Sequence, residues 1–297
     1  MPKKPKPPIK NMAASVRSRL LNLSKQRRQP FDLLLNNYVL ERHLYRLSQT
    51  QYRDHFILKG AMLLTKWFED PLRPTRDLDF LGIGNDDQDV IVRIFQEVCD
   101  VSYNDGVVFD PNSVKVERIR EETEYGGLRI TATAKVDTAQ IRVVIDIAFG
   151  DSVEPGIEEI DLPVLLDFPA PHLRAYARET VISEKFQAMV LLGRANSRMK
   201  DLYDIWVLSR NFEFKGDKLP RAVTATFARR KTEIPNEPPD ALTIAFAEDP
   251  TKVAQWNSFI EDVAFQPGRL ADIVKDLAAF LMPHASAARS LNKAKST

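Results

Sequence analysis

Residues 73–81 read Arg-Pro-Thr-Arg-Asp-Leu-Asp-Phe-Leu, and the prediction of the fold starts from this short stretch. Side chains of a β-strand point alternately to its two faces, so Asp77 and Asp79 share one face. Leu78 and Phe80 then point to the other face, where they can pack in a core. The stretch therefore predicts a short strand with two carboxylates on one face and apolar side chains on the other.

A second strand-like run carries a third acid. Residues 141–149 read Ile-Arg-Val-Val-Ile-Asp-Ile-Ala-Phe, which is apolar enough for a central strand, yet Asp146 lies within it. Burying a lone carboxylate is costly unless a cation pairs with it or a metal binds it. We therefore expect Asp77, Asp79 and Asp146 to converge on a site for Mg²⁺ or Mn²⁺, of the kind used in nucleotidyl transfer. A lone Asp-x-Asp is also common at exposed strand ends, and this plainer interpretation stays open.

The composition is typical of a soluble globular protein. Of 297 residues, 44% are hydrophobic and 28% are charged, and no apolar run approaches the roughly 18 residues that span a bilayer. Cys99 is the single cysteine, which excludes an internal disulfide and fits a reducing, cytoplasmic compartment. The first 30 residues contain nine Lys or Arg and no acid, which suits either contact with an RNA backbone or a solvated terminus.

The pattern of apolar residues divides the chain into a mixed first half and a helical second half. Helices are predicted over 12–48, with a break near Pro30, and a short strand near 164–165 follows the acidic run after Gly150. We therefore predict an α+β fold. Further strands are predicted at 114–119, 128–136 and 140–149. The predicted segments are a disordered basic arm (1–10), a core with N-terminal helices (11–160), a helical domain (161–283) and a flexible tail (284–297).

Two segments before the acidic pair carry groups that could hold the phosphates of a nucleotide. Lys59 and Gly60 precede a predicted helix, where a glycine lets the backbone approach a phosphate and helix amides can donate to it. Arg73, Thr75 and Arg76 lie just before the two acids, where their side chains could reach the same anion. An ordinary turn and a surface loop would have similar sequences, so nucleotide binding is one of two interpretations.

The helical half contains a lysine and two aspartates at suggestive spacings. Lys185 lies partly on the apolar side of a helix predicted over 176–193. Asp201 and Asp204 are three residues apart, and therefore share one face of the next helix. These groups either form a structural ion pair between the two helices, or Lys185 and Asp201 hold the nucleotide or help to deprotonate an attacking hydroxyl. The spacing does not distinguish the two.

Taken together, these motifs resemble the AbiEii/AbiGii toxin family, whose members are also called MenT-like nucleotidyltransferases. The resemblance covers 56–206 and depends on the order of several short motifs rather than on any one of them. Ala61 stands where the family usually has a second glycine. The positions that match the family's metal ligands, essential lysine and later aspartate are Asp77, Asp79, Asp146, Lys185 and Asp201.

The resemblance implies a polymerase-β-like nucleotidyltransferase core with a mixed sheet, followed by a helical C-terminal domain. It also implies a Mg²⁺-dependent enzyme that transfers NMP from an NTP, often a pyrimidine, to the 3′ acceptor end of tRNA and so blocks translation. Such toxins belong to toxin–antitoxin or abortive-infection (phage defence) systems, with a cognate antitoxin as partner. Two alternatives stay open: a nucleotidyltransferase acting on a protein or small-molecule hydroxyl, and a non-catalytic NTP-binding module. The presence of Asp77, Asp79 and Asp146, which are costly to bury together, argues against the non-catalytic module.

Overall fold

The structure is a computed structural model and describes residues 11–68, 72–119 and 126–295. The chain folds into two compact units, each assembled from separate segments. This division differs from the predicted boundary at 160 and 161. The predicted disordered arm, 1–10, lies outside the described residues. The first unit comprises the described residues of three segments: the chain up to Lys66, Thr75–Phe149 and Glu159–Arg174. The second unit comprises the described residues of Trp67–Pro74, Gly150–Glu158 and Ala175–Thr297.

One mixed sheet contains the seven strands that the described residues form. The strands are β1 (Phe56–Lys59), β2 (Leu78–Gly82), β3 (Val108–Ile119), β4 (Gly127–Val136), β5 (Ala139–Phe149), β6 (Ile157–Asp161) and β7 (His172–Tyr176). Their order in the sheet is β3-β4-β5-β2-β1-β7-β6. β2 runs parallel to β5 and antiparallel to β1, whereas β3, β4 and β5 form an antiparallel meander. The mixed sheet and the helices confirm the predicted α+β class.

The sequence located the central strands better than those at one edge. The runs predicted at 114–119, 128–136 and 140–149 lie within β3, β4 and β5, but the short strand near 164–165 is wrong. There the backbone N–H of Leu165 donates to the carboxylate of Glu41 at 2.7 Å rather than to a strand. β6 was missed because its sequence, Ile-Glu-Glu-Ile-Asp, is too polar for a central strand. As the edge strand it can keep these charges in water.

The helices of the N-terminal half frame this sheet. The proposed break near Pro30 is confirmed, because α1 ends at Arg27 and α2 begins at Phe31. The side chain of Asn11 caps α1 by accepting from the N–H of Ala14 at 3.0 Å. These helices are α1 (Met12–Arg27), α2 (Phe31–Ser48), α3 (Met62–Trp67) and α4 (Gln88–Asp100).

The second unit is predominantly helical. Its helices are α5 (Arg178–Leu192), α6 (Met199–Asn211), α7 (Lys218–Arg229), α8 (Ile244–Ala247), α9 (Pro250–Ile260) and α10 (Leu270–Lys295). The expected flexible tail at 284–297 is instead helical as far as Lys295. Ala285 and Ala288 are fully buried there, so the small residues that made the tail look flexible allow close packing. None of the helices in the described residues is long and apolar enough to cross a membrane.

Candidate active site

Five charged side chains form one row across the sheet of the first unit. The register pairs Lys59 of β1 with Asp79 of β2, and Asp79 with Asp146 of β5. Asp146 is paired in turn with Arg129 of β4, and Arg129 with Glu117 of β3. Residues paired across strands point to the same face of a sheet, so these five form a charged row on one face. The structure thus brings Asp79 and Asp146 side by side.

The opposite face of the same strands is an apolar core. Asp77 lies one residue before the start of β2, so the strand begins slightly later than predicted. Because a slip of one residue would exchange the two faces, burial of the apolar side chains fixes Asp79 and Asp146 on the open face. The neighbours of Asp79 and Asp146 in sequence are fully buried: Leu78, Phe80, Ile145 and Ile147.

Gly60 lies directly against the side chain of Asp79. Its φ of +72° is in the left-handed region, and a Cβ placed on it would lie 1.9 Å from Oδ2 of Asp79. Glycine is therefore required twice at this position, by its backbone conformation and by the carboxylate packed on it. The close approach expected between Gly60 and a phosphate is, in this structure, an approach between Gly60 and Asp79.

The predicted phosphate-binding loop contributes one well-defined contact to the acids. Oγ1 of the buried Thr75 donates to Oδ1 of Asp77 at 2.9 Å, which fixes one carboxylate of the pair. Arg76 forms an exposed ion pair with Asp32 at 3.2 Å. Thr75 is thus placed to orient an acid, whereas nucleotide binding by Arg76 and Lys59 stays a prediction.

Asp146 is held by an arginine that the sequence analysis did not identify. Nε of Arg129 donates to Oδ1 of Asp146 at 2.8 Å, and Nη2 donates to Oδ2 at 2.7 Å. Such a two-point contact is the strongest form of an ion pair between arginine and a carboxylate. The charge of Asp146 within a largely buried strand is therefore balanced by the protein itself.

A signal for this pair was present in the sequence. β4 and β5 are joined by a turn at Asp137 and Thr138, with Val136 paired to Ala139. Counting back along both strands from a two-residue turn brings Arg129 opposite Asp146. The hairpin register therefore predicts the pair once the turn is recognised.

The acids fit a divalent cation only in part. Asp77 and Asp79 are hard oxygen donors, and Mg²⁺ is commonly bound by one or two carboxylates that substrate phosphates complete. Among the described residues, no group of three acidic, histidine or cysteine side chains is placed to hold a metal. Both oxygens of Asp146 are bound to Arg129. Metal binding by Asp146 stays a prediction, and a metal there would have to share the carboxylate with Arg129.

The second unit contains a separate group of opposite charges, which we term the buried cluster: Arg73, Lys185, Asp201, Asp204 and Arg198. Nζ of Lys185 lies 2.5 Å from Oδ1 of Asp201 and 2.9 Å from Oδ2 of Asp204. Arg73 donates to both oxygens of Asp204, at 2.7 and 2.8 Å. Arg198 adds a contact of 3.1 Å to Asp201 and is the only member with substantial exposure. Arg73, expected near the nucleotide, is thus engaged by Asp204, and α5 and α6 share the ion pair that one interpretation anticipated.

The electrostatics of the buried cluster keep Lys185 and Asp204 ionised. Although burial lowers the pKa of Lys185, the charges of Asp201 and Asp204 raise it above its ordinary value. Burial acts to raise the pKa of Asp204, but Lys185 and Arg73 outweigh it and bring the value to about 2. Lys185 is therefore a fixed ammonium, which argues against its use as a general base. A catalytic role for Lys185 or Asp201 stays a prediction.

Comparison with known families identifies the class of protein to which the chain belongs. A profile of the family described as "Nucleotidyl transferase AbiEii toxin, Type IV TA system" matches residues 42–281. The chain belongs to the AbiEii toxin family. It is accordingly a nucleotidyltransferase of a toxin–antitoxin family, and the match spans both units and every candidate site residue. No curated protein sequence matches this AbiEii-family chain.

Two solved structures share the fold of this AbiEii-family protein. A proposed nucleotidyltransferase from H. pylori aligns with a TM-score of 0.51 and 14% identity, covering 88% of this chain and 97% of the other. JHP933 from Helicobacter pylori aligns with a TM-score of 0.51 and 13% identity, covering 89% and 97%. At such low identity the likeness establishes the fold alone.

Proposed function

We propose that this AbiEii-family enzyme depends on Mg²⁺ and transfers NMP from an NTP, preferably a pyrimidine, to the 3′ acceptor end of tRNA. The observation that carries the proposal is the position of Asp79, which lies beside Asp146 on the open face of the sheet and against Gly60. A modified acceptor end cannot be aminoacylated, so the reaction would stop translation. This outcome suits a cytoplasmic toxin that a cognate antitoxin restrains.

The residues of the open face have distinct roles in this proposal. Asp77 and Asp79 would hold the metal together with the phosphates, and Thr75 orients Asp77. The bound metal would supply charge neutralisation at the reacting phosphoryl group. Both oxygens of Asp146 accept hydrogen bonds from Arg129, so in this proposal Asp77 and Asp79 are the principal ligands. Positioning and electrostatic stabilisation, rather than covalent chemistry, account for the catalysis.

The surface of α1 supports a nucleic-acid acceptor. The helix contains no acid, and its last turn is basic. The exposed cations of this segment are Arg17, Lys25, Arg27 and Arg28. Cations on one segment suit an RNA backbone, whose binding depends on the number of phosphates neutralised. A small-molecule acceptor would have no need of them.

The first test incubates the protein with total tRNA, Mg²⁺ and each α-labelled NTP separately. We expect label to reach tRNA, most strongly from a pyrimidine NTP, and to be lost in Asp79→Asn. Asp86→Asn is the matched control, because Asp86 is an exposed acid of the same unit that pairs with Arg118. tRNA whose 3′ end has been oxidised with periodate should accept no label if the terminal hydroxyl is the acceptor.

The same experiment separates the alternatives. Label on a protein or a small molecule, with none on tRNA, would assign the enzyme a different acceptor. Transfer that survives in Asp79→Asn would remove the carboxylate from the mechanism. Absence of both label and Mg²⁺·NTP binding in a titration would identify a non-catalytic relative of the family.

A further inference from the structure

The ion pair between Arg129 and Asp146 is partly exposed to solvent. The side chain of Arg129 is 40% exposed and that of Asp146 is 20% exposed, on the face that also carries Asp79. A guanidinium has five N–H donors, and the contact with Asp146 uses only two of them. Within the described residues, Asp146 is the sole hydrogen-bond acceptor of Arg129, so its other three N–H donors have no acceptor among those residues.

The charges around Arg129 explain why its position is fixed. Glu117 and Asp146 flank it in the charged row, and Asp79 follows Asp146. The pKa of Arg129 is raised, above all by its hydrogen bond to Asp146 and also by the charge of Asp77. Arg129 is therefore a permanent cation held among acids that would otherwise repel a triphosphate.

Resting on the proposed function, we propose that Arg129 binds a phosphate of the metal-bound nucleotide, and that Asp146 is its positioning residue rather than a third metal ligand. A guanidinium anchored by a carboxylate on one side presents its remaining donors in a fixed plane, which suits the tetrahedral oxygens of phosphate. Lys59 and Arg129 then lie on either side of Asp79 and Asp146, each on the strand next to one of these acids.

The test measures binding of a non-hydrolysable NTP analogue with Mg²⁺, by calorimetry, to folded variants. Arg129→Met should weaken binding by about ten- to a hundredfold, the usual range for a lost hydrogen bond to a charged group. Arg129→Lys should recover part of the affinity, since lysine restores the positive charge but not the planar set of guanidinium N–H donors. Binding of the corresponding nucleoside monophosphate should fall less than that of the triphosphate.

Asp146→Asn probes the positioning role. It should raise KM for the NTP while changing kcat less, and leave binding of Mn²⁺ alone unaltered. Arg118→Met is the matched control, because Arg118 is an exposed arginine of β3 that pairs with Asp86 at 3.4 Å. Its affinity for the analogue should equal that of the unchanged protein. Circular dichroism and melting temperature confirm that each variant is folded.

Three results would overturn the inference. Folded Arg129→Met and Arg129→Lys with unchanged affinity for the triphosphate would make the pair structural. Tighter Mn²⁺ binding in Arg129→Met, with weaker binding in Asp146→Asn, would make Asp146 a masked metal ligand. If the unchanged protein binds no Mg²⁺·NTP, the proposed function and the inference both fall. If it binds Mg²⁺·NTP through Arg129 but transfers nothing, only the proposed function falls.

Discussion

The charged row and the buried cluster use the same side-chain chemistry at different depths. In the row, Arg129 is 40% exposed and its partner Asp146 is 20% exposed. In the cluster, Lys185 is 14% exposed and Asp204 is 1% exposed. Both are pairs of a cation with an aspartate, but the first is more exposed than the second. The two groups therefore differ in how strongly each charge depends on its protein partners.

Burial also changes what a missing partner costs. A desolvated charge is stable only while every partner is present, and Asp204 binds both Arg73 and Lys185. In the row, water can replace a lost partner, so the penalty is small. The comparison predicts large stability effects for changes in the cluster and large activity effects for changes in the row.

The largest expected effect follows from Asp204→Ala. It leaves Arg73 and Lys185 buried without a shared counter-ion, and should lower the free energy of unfolding by about 3–5 kcal/mol. Urea denaturation measures this change. The matched change in the row, Asp146→Ala, should cost no more than about 1 kcal/mol, because Arg129 remains solvated. Equal losses in the two variants would contradict the division by depth.

Gly60→Ala should damage the row more than a glycine change elsewhere. The left-handed backbone costs an alanine roughly 1–3 kcal/mol, and its Cβ would also displace the carboxylate of Asp79. We expect loss of transfer activity similar to that of Asp79→Asn, with a moderate fall in melting temperature.

Gly216→Ala separates backbone strain from the contact with Asp79. Gly216 has φ of +76°, close to that of Gly60, but nothing lies within 4 Å of its added Cβ. It should lose stability from strain alone and keep activity. Full activity in Gly60→Ala would show that Asp79 need not occupy its present position.

The cluster should also give stability a pH dependence in acid. The pKa of Asp204 in the folded protein is about 2, against an ordinary value of 3.8. Because the pKa is lower in the folded than in the unfolded protein, the ionised carboxylate stabilises the folded state fully at a pH above its ordinary pKa. This contribution disappears as the pH falls from about 4 towards about 2. The difference in unfolding free energy between the unchanged protein and Asp204→Asn should therefore shrink over that range. A constant difference would mean that Asp204 is not stabilised as an anion.

Local pattern predicted the central strands and the face of the sheet on which Asp79 lies. The alternation around Asp79 depends on adjacent residues alone, so its face and its buried neighbours followed directly from the sequence. The pair of Arg129 with Asp146 was within reach too, because a two-residue turn fixes the register of its hairpin.

Contacts between distant segments could not be predicted in the same way. The neighbourhood of Asp79 and Asp146 depends on parallel pairing of β2 and β5, which no local signal specifies. Arg73 is adjacent in sequence to the acidic pair, yet its partner Asp204 is 131 residues away. Proximity in sequence therefore suggested a nucleotide-binding role, whereas the fold places Arg73 in the buried cluster.

The smallest expected effect concerns Arg76, whose pairing with Asp32 is exposed on both sides. Such a pair is worth about 0–1 kcal/mol, so Arg76→Met should leave the melting temperature almost unchanged. If Arg76 also binds the nucleotide, its replacement should raise KM for the NTP without lowering stability. Arg76 would then bind substrate together with the charged row. Arg118→Met supplies the baseline, since Arg118 is a similarly exposed arginine paired with an acid. Equal KM values in the two variants would show that Arg76 does not bind the nucleotide.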